Sequence, residues 1–246
     1  MAGRQGCGLG ADPLMIPVEE RLLRLATSVA GGFQAGQVLG LGSGSTAEAV
    51  VRAIGERMRN EPAFRVTGVA TSVRTGKLAR SVGVELVEPD SLERIDLGFD
   101  GADEIDPDLN LVKGRGGALL YEKLIAEMCD EYLIVSSSEK LVERLGTRLP
   151  LPVEVIPFSW PQTARRLEPL GLLPALRMDG DEPYRSDAGN LILDCAVADG
   201  VDLVERAPAI KGITGVVEHG IFLGLARRAT VIEPDGDVRT VLPRTV

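Results

Sequence analysis

Carboxylates and one lysine are concentrated in two short stretches of the sequence. DGADEID carries Asp100 and Asp103, and KGRGGALLYEK carries Lys113 and Glu122. Glu122 has alanine, leucine and isoleucine at the helical offsets of three and four residues, so the pattern predicts that it lies on an apolar helix face. Burial there would raise the pKa of its carboxyl and give it general-base character near neutral pH. Alternatively, Glu122 lies at the boundary of this apolar face and has no catalytic role. The helical offsets alone do not decide between the two interpretations.

A glycine-rich turn, LGLGSGSTAEA, lies between a predicted strand and a predicted helix at residues 39–49. Bare backbone N–H groups and the helix dipole at such a turn favour an anion, and phosphate is the natural ligand. The glycine spacing fits neither the dinucleotide fingerprint nor the Walker loop. The hydroxyls of Ser43, Ser45 and Thr46 add donors, although serine and threonine also cap helices, and either role fits Thr46.

A second glycine-rich turn, KGRGG, follows another predicted strand and has Lys113 at its entrance. This lysine could neutralise an oxyanion or extend into solvent. Two parallel strands end near the two stretches, so we expect the acidic residues, Lys113 and Glu122 to converge at the carboxyl edge of a sheet. A phosphate site beside carboxylates and a lysine suits proton transfer next to a sugar carbonyl.

Other charged residues in these stretches are predicted to have ordinary roles. We assign Glu104, Asp106 and Asp108 to a solvated loop or to helix capping. A calcium loop is excluded because Leu111 stands where the turn glycine belongs. Lys123 has a glutamate four residues on, which predicts a surface ion pair.

The composition narrows the functional class. The 246 residues are 44% hydrophobic and 26% charged, with a formal charge of -9 that argues against a nucleic-acid surface. An apolar leader at the N-terminus and a run long enough to span a bilayer are both absent from the sequence, so we predict a cytoplasmic protein without a membrane partner.

Cys7, Cys129 and Cys195 are predicted to be reduced thiols. His219 is the only histidine, which disfavours Ser-His pairs and histidine metal sites; we predict no metal and no cofactor.

Strands alternate with helices up to about residue 148, which predicts a parallel sheet. Pro17 is expected at the first helical position and Ser72 at an N-cap. After a proline-rich segment, the order of elements changes to strand, helix, strand, strand, helix, strand. A terminal hairpin around Asp235 and Gly236 is expected to return to the first domain. The prediction is an α/β protein: a Rossmann-like parallel-sheet large domain of residues 1–148 and 222–246, and a smaller split β-α-β (ferredoxin-like) domain of residues 149–221.

The motifs GLGSGSTA, TSVRTGKLA, DGADEID, KGRGGALLYEKLIA and LPVEVIP, in this order and spacing, resemble ribose-5-phosphate isomerase of type A. The resemblance covers most of the chain. It implies cofactor-free interconversion of D-ribose 5-phosphate and D-ribulose 5-phosphate through an enediolate, a step of the pentose phosphate pathway. It also implies a homodimer or homotetramer.

The resemblance further implies the roles of individual residues. Glu122 would move the proton, Asp100 and Asp103 would orient sugar hydroxyls and assist ring opening, and Lys113 would stabilise the oxyanion. The segments implied to bind substrate contain Ser43, Gly44, Ser45, Thr46, Gly101, Ala102, Gly114, Arg115, Gly116 and Lys140.

Two positions depart from the family pattern, which has threonine at Ser43 and a run of glycines where Arg115 stands. Ser43 keeps the hydroxyl. Arg115 replaces a residue able to adopt a positive φ and brings a cation to the site, either toward solvent or as an anion contact.

Three other functions remain open. A sugar-phosphate sensor would share the fold but lack the acid-base residues. This sequence has all four of them: Asp100, Asp103, Lys113 and Glu122. An amino-sugar phosphate deaminase would be expected to use histidine, which is scarce here. A coenzyme A transferase needs a glutamate nucleophile, for which Glu122 is available.

Overall fold

The computed structural model describes residues 16–244. The N-terminal segment examined for a leader, and Cys7 within it, therefore lie outside the described residues. The helices are α1 Val18–Gly31, α2 Ser45–Asn60, α3 Val73–Ser81, α4 Leu119–Met128, α5 Trp160–Leu167 and α6 Leu203–Lys211. The strands are β1 Val38–Leu41, β2 Thr67–Ala70, β3 Glu85–Leu86, β4 Ile95–Asp100, β5 Glu104–Ile105, β6 Leu111–Val112, β7 Cys129–Ser137, β8 Leu151–Val155, β9 Leu172–Leu176, β10 Met178–Asp179, β11 Glu182–Pro183, β12 Leu191–Val197, β13 Val216–His219, β14 Ile221–Phe222, β15 Arg228–Ile232 and β16 Val238–Val241.

The large sheet has the strand order β16-β15-β7-β4-β1-β2-β3. Its strands are parallel except β16, which pairs antiparallel with β15. The predicted parallel sheet and the terminal hairpin that returns to it are therefore confirmed. Apolar side chains of α1 and α2 pack with those of β1 and β4 in the main core of this layer. Parallel strands end at a common edge, which sets where a ligand site can form.

Helix α4 packs very closely on the opposite face of this sheet. A Cβ at Gly40 would lie 2.9 Å from Cγ2 of Ile125, and one at Gly98 would lie 2.5 Å from Sγ of Cys129. Gly40 thus lets the helix approach the sheet backbone, and Gly98 leaves room for Cys129, the residue that follows the helix. The close approach fixes the start of α4, and with it Glu122, beside the carboxyl ends of β1 and β4.

The small sheet is antiparallel, with the order β13-β8-β12-β9. Numbered along the chain, this order is 4-1-3-2, the ferredoxin-like arrangement that the split β-α-β pattern predicts. Helices α5 and α6 cover one face of it and share its apolar core. The fold class is therefore confirmed, whereas the domain boundaries at residues 148/149 and 221/222 stay predictions.

Three strands of two residues each link the two layers. The strand expected before the KGRGG turn is β6, and it lies outside the large parallel sheet. β14 pairs with β6, and β6 pairs with β5, in a three-stranded antiparallel sheet. Strand β5 was not predicted, because alternation cannot be read in a strand of two residues. The pair β10 and β11 was missed for the same reason.

Two helix boundaries differ from the prediction, and one cap is confirmed. Pro17 is the N-cap of α1 rather than its first residue, because its ψ of 147° is extended. Helix α4 ends at Met128, since Cys129 already pairs with Ile95 of the large sheet. The hydroxyl of Ser72 accepts a hydrogen bond from the N–H of Thr75, as expected for an N-cap. In the part of the chain that is described, a helix long and apolar enough to cross a membrane does not occur.

Candidate active site

A cavity of about 370 Å³ lies at the carboxyl edge of the large sheet. Both glycine turns and the DGAD segment open onto it, so the predicted convergence is found. All of the residues predicted to bind substrate line this cavity, together with three of the four predicted catalytic residues. The lining consists of Ser43, Gly44, Ser45, Thr46, Gly101, Ala102, Asp103, Lys113, Gly114, Arg115, Gly116, Glu122 and Lys140.

Lys113 is shared between two buried carboxylates. Its Nζ lies 3.1 Å from Oδ2 of Asp100 and 3.2 Å from Oε2 of Glu122. The same ammonium donates a 2.6 Å hydrogen bond to the carbonyl of Gly101. All three charged side chains are almost completely removed from solvent. The arrangement is a compact triad of one cation and two acids at the floor of the cavity.

Burial raises the pKa of Glu122 to about 8, helped by the charge of Asp100 and opposed by Lys113. Burial also raises the pKa of Asp100, against the influence of Lys113. Burial disfavours the charge on Lys113, but the two carboxylates outweigh it and raise its pKa. Lys113 therefore stays an ammonium, while Glu122 is held near the balance between acid and base, as proton transfer requires.

Asp100 lies below the cavity rather than in its lining. It is the last residue of β4, and its Oδ1 accepts hydrogen bonds from the N–H groups of Gly101 at 2.7 Å and Ser43 at 3.1 Å. A Cβ on Gly42 would lie 2.3 Å from its Cγ, so only glycine leaves room for the carboxylate. Tyr132, which no sequence pattern marks as a site residue, places its hydroxyl 3.4 Å from Oδ2. Nothing in the apolar pattern of β7 distinguishes this tyrosine from a core residue.

The first glycine turn presents the start of α2 to the cavity. Gly44 has a φ of 93° and is the N-cap residue, so Ser45 and Thr46 occupy the first helical turn with their N–H groups free of helical partners. The hydroxyl of Ser43 instead contacts the hydroxyls of Thr71 at 2.9 Å and Ser72 at 2.8 Å. Ser43 therefore joins this turn to the segment that precedes α3.

The second glycine turn accommodates Arg115 without strain. Gly114 and Gly117 adopt φ values of 106° and 79°, whereas Arg115 does not adopt a positive φ. Arg115 therefore does not occupy a position that requires a positive φ, and its Cβ causes no backbone strain. Its N–H donates a 3.0 Å hydrogen bond to Oδ2 of Asp103, and its side chain is exposed at the cavity. The turn therefore sets the direction of the Asp103 carboxylate.

The surface role predicted for Lys123 is wrong. This residue is buried, and its Nζ donates to Oε1 of Glu218 at 2.7 Å and to the carbonyl of His219 at 2.8 Å. Strand β13 of the small sheet covers this face of α4, although its residues are remote in sequence. Lys123 consequently ties the helix that carries Glu122 to the small sheet.

The solvated-loop assignment is also wrong for Glu104 and Asp106. Glu104 is fully buried, and its carboxylate accepts hydrogen bonds from the N–H groups of three residues in the loop before β8: Gly146, Arg148 and Leu149. Asp106 is buried and accepts from the N–H groups of Asp108 and Asn110, which closes the turn before β6. Only Asp108 is exposed as predicted.

His219 makes the small sheet sensitive to acid. Burial and the nearby Lys123 lower its pKa from 6.5 to about 4, and its Nε2 lies 3.1 Å from the carbonyl of Ala207. The unfolded chain therefore takes up this proton below pH 6.5, while the folded chain does not until about pH 4. The stabilisation from neutral His219 is present above pH 6.5 and is lost as the pH falls.

We expect the free energy of unfolding of the wild type, relative to a His219→Gln variant, to fall by about 2 kcal/mol between pH 7 and pH 5. Urea unfolding at the two pH values measures it. The difference between the proteins is needed because the raised pKa of Glu122 acts in the opposite direction in this range. Parallel pH dependence of the two proteins would contradict the prediction.

Metal ligands are not clustered in the described residues: between 16 and 244, no group of three or more His, Cys, Asp or Glu side chains is placed to hold an ion. Cys129 and Cys195 are free thiols. Burial raises the pKa of both to about 12, which keeps them protonated.

The fold and the site together define an α/β protein with a buried triad of one lysine and two carboxylates beside two glycine-rich turns. Residues 67–236 match the family model of ribose 5-phosphate isomerase A (phosphoriboisomerase A). The chain belongs to the ribose 5-phosphate isomerase A family. A ribose-5-phosphate isomerase A of Thermomicrobium roseum is 51% identical over 210 residues, which cover 85% of this chain and 86% of the relative. One from a Roseiflexus strain is 46% identical over 211 residues, 85% of this chain and 91% of the relative.

Solved structures of the family have the same fold. A ribose 5-phosphate isomerase A from Methanocaldococcus jannaschii superimposes with a TM-score of 0.84 and 34% identity, covering 91% of this chain and 99% of that one. A D-ribose-5-phosphate isomerase in complex with phospho-erythronic acid gives a TM-score of 0.87 and 32% identity, covering 92% and 100%. The likeness extends over both sheets of the present chain.

Proposed function

We propose that this protein is an aldose-ketose isomerase that interconverts D-ribose 5-phosphate and D-ribulose 5-phosphate. Membership of the family supports this function. The observation that carries the mechanism is the position of Lys113, whose ammonium lies 3.1 Å and 3.2 Å from the carboxylates of Asp100 and Glu122 at the floor of a cavity bordered by two glycine turns.

In the forward direction, Glu122 takes the proton from carbon 2 of the open-chain aldose. The electron pair released moves toward the carbonyl, and Lys113 stabilises the oxyanion that forms on oxygen 1. Glu122 then returns its proton to carbon 1, and the proton of the hydroxyl on carbon 2 passes to oxygen 1. No atom is gained or lost, so the chemistry needs no cofactor.

The two aspartates have different positions and therefore different proposed roles. Asp103 lines the cavity and can orient sugar hydroxyls and assist ring opening. Asp100 is fully buried and acts through Lys113, by holding the ammonium in place and favouring its charged form. Free N–H groups at the start of α2 and the side chain of Lys140 supply the anion-binding part of the cavity.

The alternatives are not favoured. A non-catalytic sensor has no need of a carboxyl whose pKa is raised to about 8 beside a buried ammonium. A coenzyme A transferase would use Glu122 as a nucleophile, whereas here its Oε2 is paired with the ammonium of Lys113 at the floor of the cavity. The homodimer or homotetramer and the cytoplasmic location implied earlier stay predictions.

We expect the pure protein, after treatment with a chelator, to convert ribose 5-phosphate to a ketose. Ketose formation is measured colorimetrically, and proton NMR in deuterium oxide would show exchange at carbon 2 as the enediolate forms. Boiled protein is the control. A well-folded sample that produces neither ketose nor exchange would contradict the proposed function.

A further inference from the structure

Two side chains of the small domain bind the glycine turn that borders the cavity. Arg177, between β9 and β10, donates from Nη1 to the carbonyls of Gly114 and Arg115, both at 3.0 Å. Its Nε and Nη2 form a two-point ion pair with Asp194 of β12, at 2.8 Å and 2.5 Å. The guanidinium therefore bridges a rigid strand and two successive peptide groups.

The two carbonyl contacts determine where the opposite ends of these peptide groups point. In a trans peptide, the carbonyl of one residue and the N–H of the next point in opposite directions. Holding the carbonyl of Gly114 on Arg177 thus turns the N–H of Arg115 away from the small domain, where it meets Oδ2 of Asp103 at 3.0 Å. Holding the carbonyl of Arg115 likewise turns the N–H of Gly116 away from Arg177, and Gly116 lines the cavity.

The turn has one hydrogen bond of its own, from the N–H of Gly117 to the carbonyl of Gly114 at 3.0 Å, and its sequence is otherwise permissive. Gly114, Gly116 and Gly117 have little intrinsic preference among backbone conformations, and two of them have a positive φ. Tyr184 adds a second contact from the small domain. A Cβ on Gly117 would lie 2.1 Å from its hydroxyl oxygen, and that hydroxyl lies 3.4 Å from the carbonyl of Gly116. Three successive carbonyls of the turn are thus held from one side.

We infer that Arg177, fixed by Asp194, is a positioning residue of the active site. It holds the N–H of Arg115 on the carboxylate of Asp103, which sets the direction of that carboxylate, and it turns the N–H of Gly116 toward the cavity. This assignment rests on the proposed function. Because oriented N–H donors matter most when charge develops on oxygen, loss of the contact acts on turnover more than on substrate affinity.

The experiment compares Arg177→Ala with the wild type. We expect kcat/KM for ribose 5-phosphate to fall about 10²-fold, with most of the loss in kcat. Arg177 and Asp194 line a cavity of about 240 Å³ that adjoins the first, so a small cation can replace the missing side chain. Millimolar guanidinium should therefore restore part of kcat in the variant.

The matched control is Arg228→Ala. Arg228 forms an ion pair with Glu131, 2.6 Å from Nε to Oε1, at the amino end of β15 and away from the cavity. The Arg228→Ala variant should have the kcat of the wild type, and guanidinium should not change that kcat. Asp194→Asn serves if Arg177→Ala does not fold; it keeps the side-chain shape, and we expect a kcat reduced about 10-fold.

Three results would overturn the inference: a folded Arg177→Ala protein with the kcat of the wild type, a loss confined to KM, or a loss that guanidinium does not reverse. An unchanged kcat in the Asp194→Asn variant would also overturn the inference. The proposed function fails separately, because in that case the wild type itself does not isomerise ribose 5-phosphate. An active wild type with an active Arg177→Ala variant removes only the role of Arg177.

Discussion

A Glu122→Gln variant is expected to bind ribose 5-phosphate and to lose turnover by about 10³-fold, the range seen when a general base is removed. Glutamine keeps the shape of the side chain and an oxygen for Lys113, but it cannot accept a proton. Burial and the charge of Asp100 raise the pKa of Glu122 to about 8, so the wild-type carboxyl exchanges protons readily near neutral pH. Steady-state kinetics measures turnover, and calorimetry measures binding.

Glu127→Gln is the matched control, since it makes the same chemical change at an exposed site on the same helix. Its kcat should equal that of the wild type. If Glu122→Gln turned over substrate normally, another group would have to move the proton, and the mechanism proposed here would be abandoned.

A Lys113→Met variant is expected to lose both turnover and stability. Without the ammonium, the oxyanion has no cation beside it, and kcat/KM should fall about 10²-fold or more. Two buried carboxylates would also face each other unpaired, which should lower the free energy of unfolding by about 3 kcal/mol. Enzyme kinetics and urea unfolding at the same pH measure the two effects.

Lys77→Met is the control, because Lys77 is exposed on α3. It should leave both quantities near their wild-type values. A folded Lys113→Met protein with normal kcat/KM would exclude Lys113 from oxyanion stabilisation. Loss of stability without loss of turnover would make it a structural residue only.

The sequence predicted those features of the site that depend on residues close together along the chain. Glu122 was placed on a buried face correctly because the offsets of a helix are local. The same count failed for Lys123, since the side chain that covers it, Glu218, lies 95 residues away. The parallel and ferredoxin-like sheets were predicted from the order of elements, which does not depend on individual contacts.

Other features could not be predicted because backbone groups create them. Glu104 reads as one more loop carboxylate, yet its partners are N–H groups more than 40 residues later, where no side-chain pattern marks them. The burial of Asp100 depends on the missing Cβ of Gly42, which lies in the turn directly after β1. Arg177 is an ordinary polar residue until the fold places two carbonyls of the glycine turn in front of it.

Adjacent residues of α4 contact different parts of the structure. Glu122 lines the cavity beside Lys113, whereas Lys123 donates hydrogen bonds to Glu218 and to the carbonyl of His219. Helix α4 therefore connects the cavity to the ferredoxin-like sheet through two neighbouring side chains. We expect a substitution that loosens the small sheet to shift Glu122 in the cavity as well. Variation in that sheet between cold-adapted and heat-adapted relatives should consequently tune catalytic speed as well as heat resistance.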